Sequence, residues 1–280
     1  MSVESIRTVL ECVPLLIDPL RVAGLFRALE GVKAGVWDEI DKDLEGRAKR
    51  PQISIIDGVA VVPVHGVLVP ETDAIDRIMG YVATSDVQRM VSEAVESKAR
   101  GILLDINSPG GAVTGVEETG DMIADARKSK PVMAYAGELA ASGAMWLASQ
   151  ATGFYAGKSA TVGSIGVYMA FADRSKMAEM MGIKVDVIKS SETPYKAAGV
   201  PGTSLSDAQR GQFQSQVDYI FQGFKAAIMR GRPKVKAEAM QGQTFTGAQA
   251  KDVGLVDSVA SFAQALTATK NLADLRGMKG

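Results

Sequence analysis

Gly101-Ile102-Leu103-Leu104-Asp105-Ile106-Asn107-Ser108-Pro109-Gly110-Gly111-Ala112 is a short, nearly unbroken apolar run that ends in a polar, glycine-rich turn. Four to eight apolar residues closed by turn residues describe a buried strand. Helical spacing follows from about Val116 to Arg127, then a second apolar strand, Pro131 to Ala136. A strand, a crossover helix and a strand of this length form a βαβ unit, whose strands lie parallel.

The same alternation extends outward. Ile53 to Val64 reads as two β-rich runs turning at Asp57-Gly58, a strong hairpin dipeptide. Thr84 or Ser85 is placed to cap a helix carrying Val87, Met90, Val91, Ala94 and Val95 at helical spacing. A helix is expected near Ser142, a strand over Lys184 to Ile188, and a long helix toward Arg230 opened by a Ser206–Gln209 capping box. The expected class is α/β with a parallel β-sheet core, divided into an N-terminal helical arm and linker (1–50), a main domain (51–260) and a C-terminal helical tail (261–280).

Composition narrows the function. The chain has 280 residues, 46% hydrophobic and 22% charged, ample for a large core. A net charge of −1 gives no sign of a nucleic-acid partner. The single cysteine, Cys12, excludes an intramolecular disulfide, and one cysteine with one histidine does not make an ordinary zinc site. No apolar run reaches the roughly 18 residues of a membrane span. Val13 to Phe26 is broken by Pro14, Asp18, Pro19 and Arg21, and reads as a short helical or interfacial arm of a soluble protein.

The chemistry begins with an absence. The only histidine, His65, lies in a strand running into Gly66, and its plain reading is a buried or edge-strand side chain. A Ser-His-Asp triad is therefore not expected, and a reactive serine needs another base. A lysine at its ordinary pKa of about 10.4 is protonated at neutral pH, so a lysine base must be sheltered by apolar or small neighbours. Lys196, in Pro194-Tyr195-Lys196-Ala197-Ala198-Gly199, has such neighbours in sequence, with Glu192 the nearest acid. Alone, it fits a surface loop lysine as well.

The serine that fits is Ser142, in Ala140-Ala141-Ser142-Gly143-Ala144, where small residues let a substrate backbone approach. An apolar helical run follows, so Ser142 falls at a helix N-terminus, which favours developing negative charge. A plain helix N-cap fits this segment equally. Pro109-Gly110-Gly111 is able to present backbone N–H groups unobstructed, as an oxyanion hole does, although alone it is also a simple turn. Neither phosphate-loop pattern is present.

Together these segments resemble the signal peptide peptidase A family of serine peptidases, in particular its phage and prophage capsid-assembly branch. Asn107-Ser108-Pro109-Gly110-Gly111 is similar to the family's oxyanion loop and Ala141-Ser142-Gly143 to its nucleophile segment. Ala160 to Val167, Lys189 to Gly199, and Phe245 to Ala250 with Gly254-Leu255-Val256-Asp257 are similar to the motifs that follow, in order, over about residues 59–259.

The resemblance implies a crotonase-like (Clp protease-like) spiral assembled as a homo-oligomer. It implies Ser142 as nucleophile, Lys196 as base and Ser164 orienting the lysine amine. Gly111 and Gly143 become oxyanion donors, and Gly110 shapes the loop. It implies no metal or organic cofactor, and protein or peptide substrates such as capsid or scaffold proteins. The expected setting is the bacterial host cytoplasm or the procapsid. With no membrane anchor expected, clearing signal peptides at a bilayer does not fit, and no scaffold extension is expected beyond the last motif. The rival readings are an acyl-coenzyme A enzyme on the same fold and a non-catalytic assembly protein.

Overall fold

The structure, a computed structural model, describes residues 49–278 and, in the N-terminal arm, the strand Leu15–Ile17. The helical arm expected over 1–50, and Cys12 with it, otherwise lies outside the described residues.

The larger sheet is built around the two strands of the opening motif. β2 (Ser54–Ile56) and β3 (Val59–His65) form an antiparallel hairpin. Asp57 (φ 49°) and Gly58 (φ 80°) make its turn, two successive left-handed residues that match the right-handed twist of the strands. β3 runs parallel to β6 (Gly101–Ser108), and β6 parallel to β8 (Val132–Ala141). β8 continues well past the expected end at Ala136. Its first part pairs with β9 (Gly153–Ala156) and its last part with β10 (Thr161–Gly163), both parallel. The order is β11-β10-β8-β6-β3-β2, with β11 (Thr244–Thr246) antiparallel on β10 and β12 (Ser258–Val259) parallel on β9.

A smaller sheet stands beside it in the order β1-β7-β4-β5, formed by β1 (Leu15–Ile17), β4 (Val67–Val69), β5 (Tyr81–Ala83) and β7 (Gly110–Ala112). The expected class is met: the fold is α/β and its main sheet is mostly parallel.

Alternation within β6 shows how the layers pack. Ile102, Leu104 and Ile106 face one side, against α2 (Thr84–Glu96) with Val87, Met90, Val91 and Ala94, and α3 (Val116–Ser129) with Val116 and Ile123. Leu103 faces the other, with Val59, Met133, Tyr135 and Ala265 of α8 (Phe262–Gly277). Buried on both faces, β6 is apolar almost throughout, as a central parallel strand must be. Each such side chain contributes about 1.5–3 kcal/mol by leaving water. The helix α2 starts at Thr84 with Ala83 in the cap position, and no side chain caps it. Neither Thr84 nor Ser85 fills the expected role, because Thr84 is itself buried in the first turn.

The remaining α-helices among the described residues are α1 (Ala74–Ile78), α4 (Gly143–Ser149), α5 (Ser175–Met180), α6 (Asp207–Gly231) and α7 (Gly247–Asp252). The Ser206–Gln209 capping box opens α6 as expected, with both reciprocal bonds formed. The strand expected over Lys184–Ile188 does not form: the segment has no ladder partner, and Ile188 is 98% exposed. Its apolar residues suit a strand, but a strand requires a neighbour for its N–H and C=O groups, and no described residue supplies one. No helix among the described residues is long and apolar enough to cross a membrane.

Candidate active site

Ser142 stands one residue beyond the end of β8. The last pair of the β8–β10 ladder is Ala141↔Gly163, so Ser142 and Ser164 leave the sheet side by side. The Ser142 N–H donates to the Gly163 carbonyl at 2.8 Å, and the Ser164 N–H donates to the Gln243 carbonyl at 2.8 Å. Both serines are buried and both have left-handed backbones, Ser142 with φ 54° and ψ −123° and Ser164 with φ 52°. Non-glycine residues held this way cost about 1–3 kcal/mol each and persist only where their surroundings dictate it.

The surroundings of Ser142 do so. All of α4 is buried behind it, Trp146 stacks on Phe224 with ring centroids 4.9 Å apart, and the Trp146 main-chain N–H donates to the Ser142 carbonyl at 3.1 Å. The Ser142 side chain makes no capping hydrogen bond to α4. Ser142 thus holds the N-cap position of α4, but its hydroxyl is not spent on the helix.

The glycine loop arrives through a bulge. Between Ile106 and Ser108 the β6–β8 register shifts, and Ser108 then pairs with Ala140, two residues before the serine. The Gly110 N–H donates to the buried Ser108 hydroxyl at 3.2 Å, and Gly110 has φ 91°, which residues other than glycine rarely adopt. Gly111 crosses the backbone of β4 so closely that a Cβ there would lie 1.9 Å from the Leu68 carbonyl oxygen. β7 in turn packs against α4. Ser142, Gly143, Ser164, Gly110 and Gly111 are thus gathered where the two sheets meet.

Lys196 is not gathered with them. It is exposed in the turns near Thr193 to Gly199, fastened by its backbone: its N–H donates to the Thr193 carbonyl at 3.2 Å and its carbonyl accepts from the Gln209 amide at 2.9 Å. Among the described residues, no hydrogen bond or ion pair joins its side chain to Ser142, Ser164 or Glu192. The shelter expected from its neighbours in sequence is absent in the single chain, because the loop lies outside both sheets and Tyr195 is itself exposed.

His65 ends β3, exposed, with Nε2 2.9 Å from the Asp105 carboxylate on β6. That hydrogen bond raises its pKa above 6.5, against the lowering effect of partial burial; the negative charges of Asp105 and Glu138 add to the rise. Among the described residues no hydrogen bond links it to Ser142.

Sequence reasoning missed the clamp behind the site. Arg232, buried, donates to the Ser149 carbonyl at 3.2 Å and the Ala151 carbonyl at 2.5 Å, and pairs with Asp257. Asp257 also accepts from the Phe154 N–H at 2.7 Å. The C-terminal motif therefore ties the end of α4 to β9. The usable signal was Asp257, singled out in the motif without a partner.

The model of peptidase family S49 matches residues 124–276. This chain belongs to peptidase family S49. It is 31% identical to Capsid assembly protease C of Escherichia phage lambda, over 84% of this chain and 54% of that protein. It is 30% identical to Head-tail preconnector protein GP5 of Enterobacteria phage P21, over 87% of this chain and 49% of that one. The chain thus spans about half the length of these relatives. Among solved structures, a ClpP1 variant from Listeria monocytogenes superposes with a TM-score of 0.44 at 14% identity, over 74% of this chain and 94% of that one.

Proposed function

We propose that this chain is a serine endopeptidase that processes capsid or scaffold proteins during phage head assembly, with Ser142 as nucleophile and Lys196 as base. One observation carries the reading: in a family S49 chain, Ser142 is the buried, left-handed residue at the end of a central strand, and its hydroxyl is not used as a helix cap. Strain retained at such a position is characteristic of a group held for chemistry.

In the reaction, Ser142 Oγ attacks the peptide carbonyl carbon while neutral Lys196 Nζ takes the hydroxyl proton. The N–H groups of Gly111 and Gly143 stabilise the oxyanion, with Gly110 setting the loop. The C–N bond then breaks, and Lys196 returns the proton to the leaving amine. Water attacks the acyl ester and loses a proton to Lys196; the ester C–O bond then breaks, Lys196 returns that proton to Ser142 Oγ, and the acid leaves. Ser164, whose backbone runs beside that of Ser142, orients the amine. No step uses a metal or organic cofactor.

The exposed position of Lys196 supports a homo-oligomer in which subunits complete or enclose the site. The end of α5 and the loop after it, which carries Lys196, display Met180 (89% exposed), Met181, Ile183 and Ile188, apolar surface of the kind a subunit contact covers. The name of the phage lambda relative, Capsid assembly protease C, supports capsid proteins as substrates, and the setting that goes with them is the host cytoplasm or procapsid. The test is mass spectrometry of capsid proteins co-expressed with the wild type or Ser142→Ala. Shortened products with the wild type alone support the reading, and identical products with both refute it.

A further inference from the structure

The strand that carries Gly111 has both its edges occupied. On one side β7 pairs in parallel with β4, Leu68 opposite Gly111. On the other, β1 runs antiparallel to it, with Leu15 opposite Ala112, Leu16 opposite Gly111 and Ile17 opposite Gly110. Among the described residues β1 is an outer strand of the small sheet and the only strand on that side of β7, so without it that edge would be open to pairing.

An open edge beside a nucleophile is where a peptidase can hold its substrate. An extended polypeptide adds to a sheet edge through its main chain, whatever its side chains, and so lies along the reacting groups. β7 is suited to this: it contains both glycines of the loop, and it packs against the helix that Ser142 opens. A second chain has no access to that edge while Leu15–Ile17 is paired there.

We infer that Leu15–Ile17 is an internal competitor, a segment of this chain that occupies the edge on which a substrate strand is laid and must leave before another polypeptide enters. This rests on the peptidase reading above. The sequence supports a short, reversible occupant. Pro14 and Pro19 bracket the strand, and proline has no N–H to give a ladder, which confines pairing to the few residues between them. A three-residue ladder is weak by itself. Tethering offsets this, because a segment in the same chain acts at an effective concentration in the millimolar range.

The experiment is a binding measurement that requires no catalysis. A fluorescein-labelled heptapeptide copying residues 13–19 is titrated by anisotropy into full-length Ser142→Ala, and into the same protein carrying Leu16→Pro, which removes the central N–H of the internal strand. The peptide is expected to bind the double variant at least about tenfold more tightly, since the tethered competitor is gone. A paired Leu15→Asp/Ile17→Asp variant guards against misfolding by the proline and is expected to behave alike. Hydrogen exchange on the unaltered chain gives a second readout: the amides of Leu15–Ile17 are expected to lose protection when excess peptide is added. Equal affinity for single and double variants, with unchanged exchange, overturns the inference. Absence of peptidase activity in the wild type and in Leu16→Pro with Ser142 intact, with the affinity difference still present in the Ser142→Ala forms, refutes the proposed chemistry and leaves the occupied edge standing.

Discussion

The Ser142 N–H donates to the Gly163 carbonyl at 2.8 Å across the end of the β8–β10 ladder, and this bond sets two left-handed serines beside each other. β8 contributes one and β10 the other, so whatever moves β10 moves the surroundings of Ser142.

Gly163 is the sensitive point in that arrangement. Its φ is 119°, and an added Cβ would lie 2.8 Å from the Gln243 carbonyl oxygen, which also accepts from the Ser164 N–H. Gly163→Ala is expected to destabilise the fold by about 2–3 kcal/mol and to lower turnover. Urea denaturation beside peptide hydrolysis checks both. Unchanged stability and turnover would show that β10 does not set the site.

Asp257 tests the clamp behind α4. Removing its carboxylate leaves buried Arg232 without its anion and the Phe154 N–H without its acceptor. Asp257→Ala is expected to cost about 2–3 kcal/mol, below the usual figure for a buried pair because Asp257 is itself half exposed. Asp257→Asn, which keeps an acceptor for Phe154, is expected to cost less. Thermal unfolding of the two variants orders them.

His65 gives a pH signature for stability. Its folded pKa lies above the unfolded value near 6.5, chiefly through the Asp105 hydrogen bond. The pair's contribution is therefore fully present below about pH 6.5 and is lost as pH rises through the higher folded value. The stability gap between wild type and His65→Gln is expected to be largest near pH 6 and to close on the alkaline side. Peptidase activity should survive the substitution. A gap that widens with pH would show that Asp105 does not raise the His65 pKa.

Much of this was legible in the residues, and the losses have physical causes. The strand β6, the hairpin at Asp57-Gly58 and the capping box at Ser206 rest on local rules, and all three appear in the structure, whereas Gly110–Ala112, read as a glycine-rich turn, forms the strand β7. The far half of β8 was not seen, because Gly137, Glu138, Ala140 and Ala141 are poor strand formers held there by neighbours on both sides. The strain at Ser142 and Ser164 was invisible because a positive φ is read from glycine, and here it falls on serine. Lys196 is the instructive case: its motif is plain in sequence, but small neighbours in the chain do not make a sheltered environment when the loop lies outside the core.

Lys196 also divides the proposed chemistry from a structural role. Lys196→Arg keeps the charge and most of the length but offers no neutral amine, since a guanidinium stays protonated at any usable pH. It is expected to lose at least about a thousandfold in turnover, near the contribution of a positioned base, with folding unchanged. Retained turnover in this variant would remove the lysine from the mechanism.

The central claim, that Ser142 is the nucleophile, is tested most directly by peptide mapping of the full-length protein after reaction with a fluorophosphonate. The prediction is one adduct, on Ser142, absent in Ser142→Ala. An adduct on another serine, or peptide hydrolysis that persists undiminished in Ser142→Ala, would contradict it.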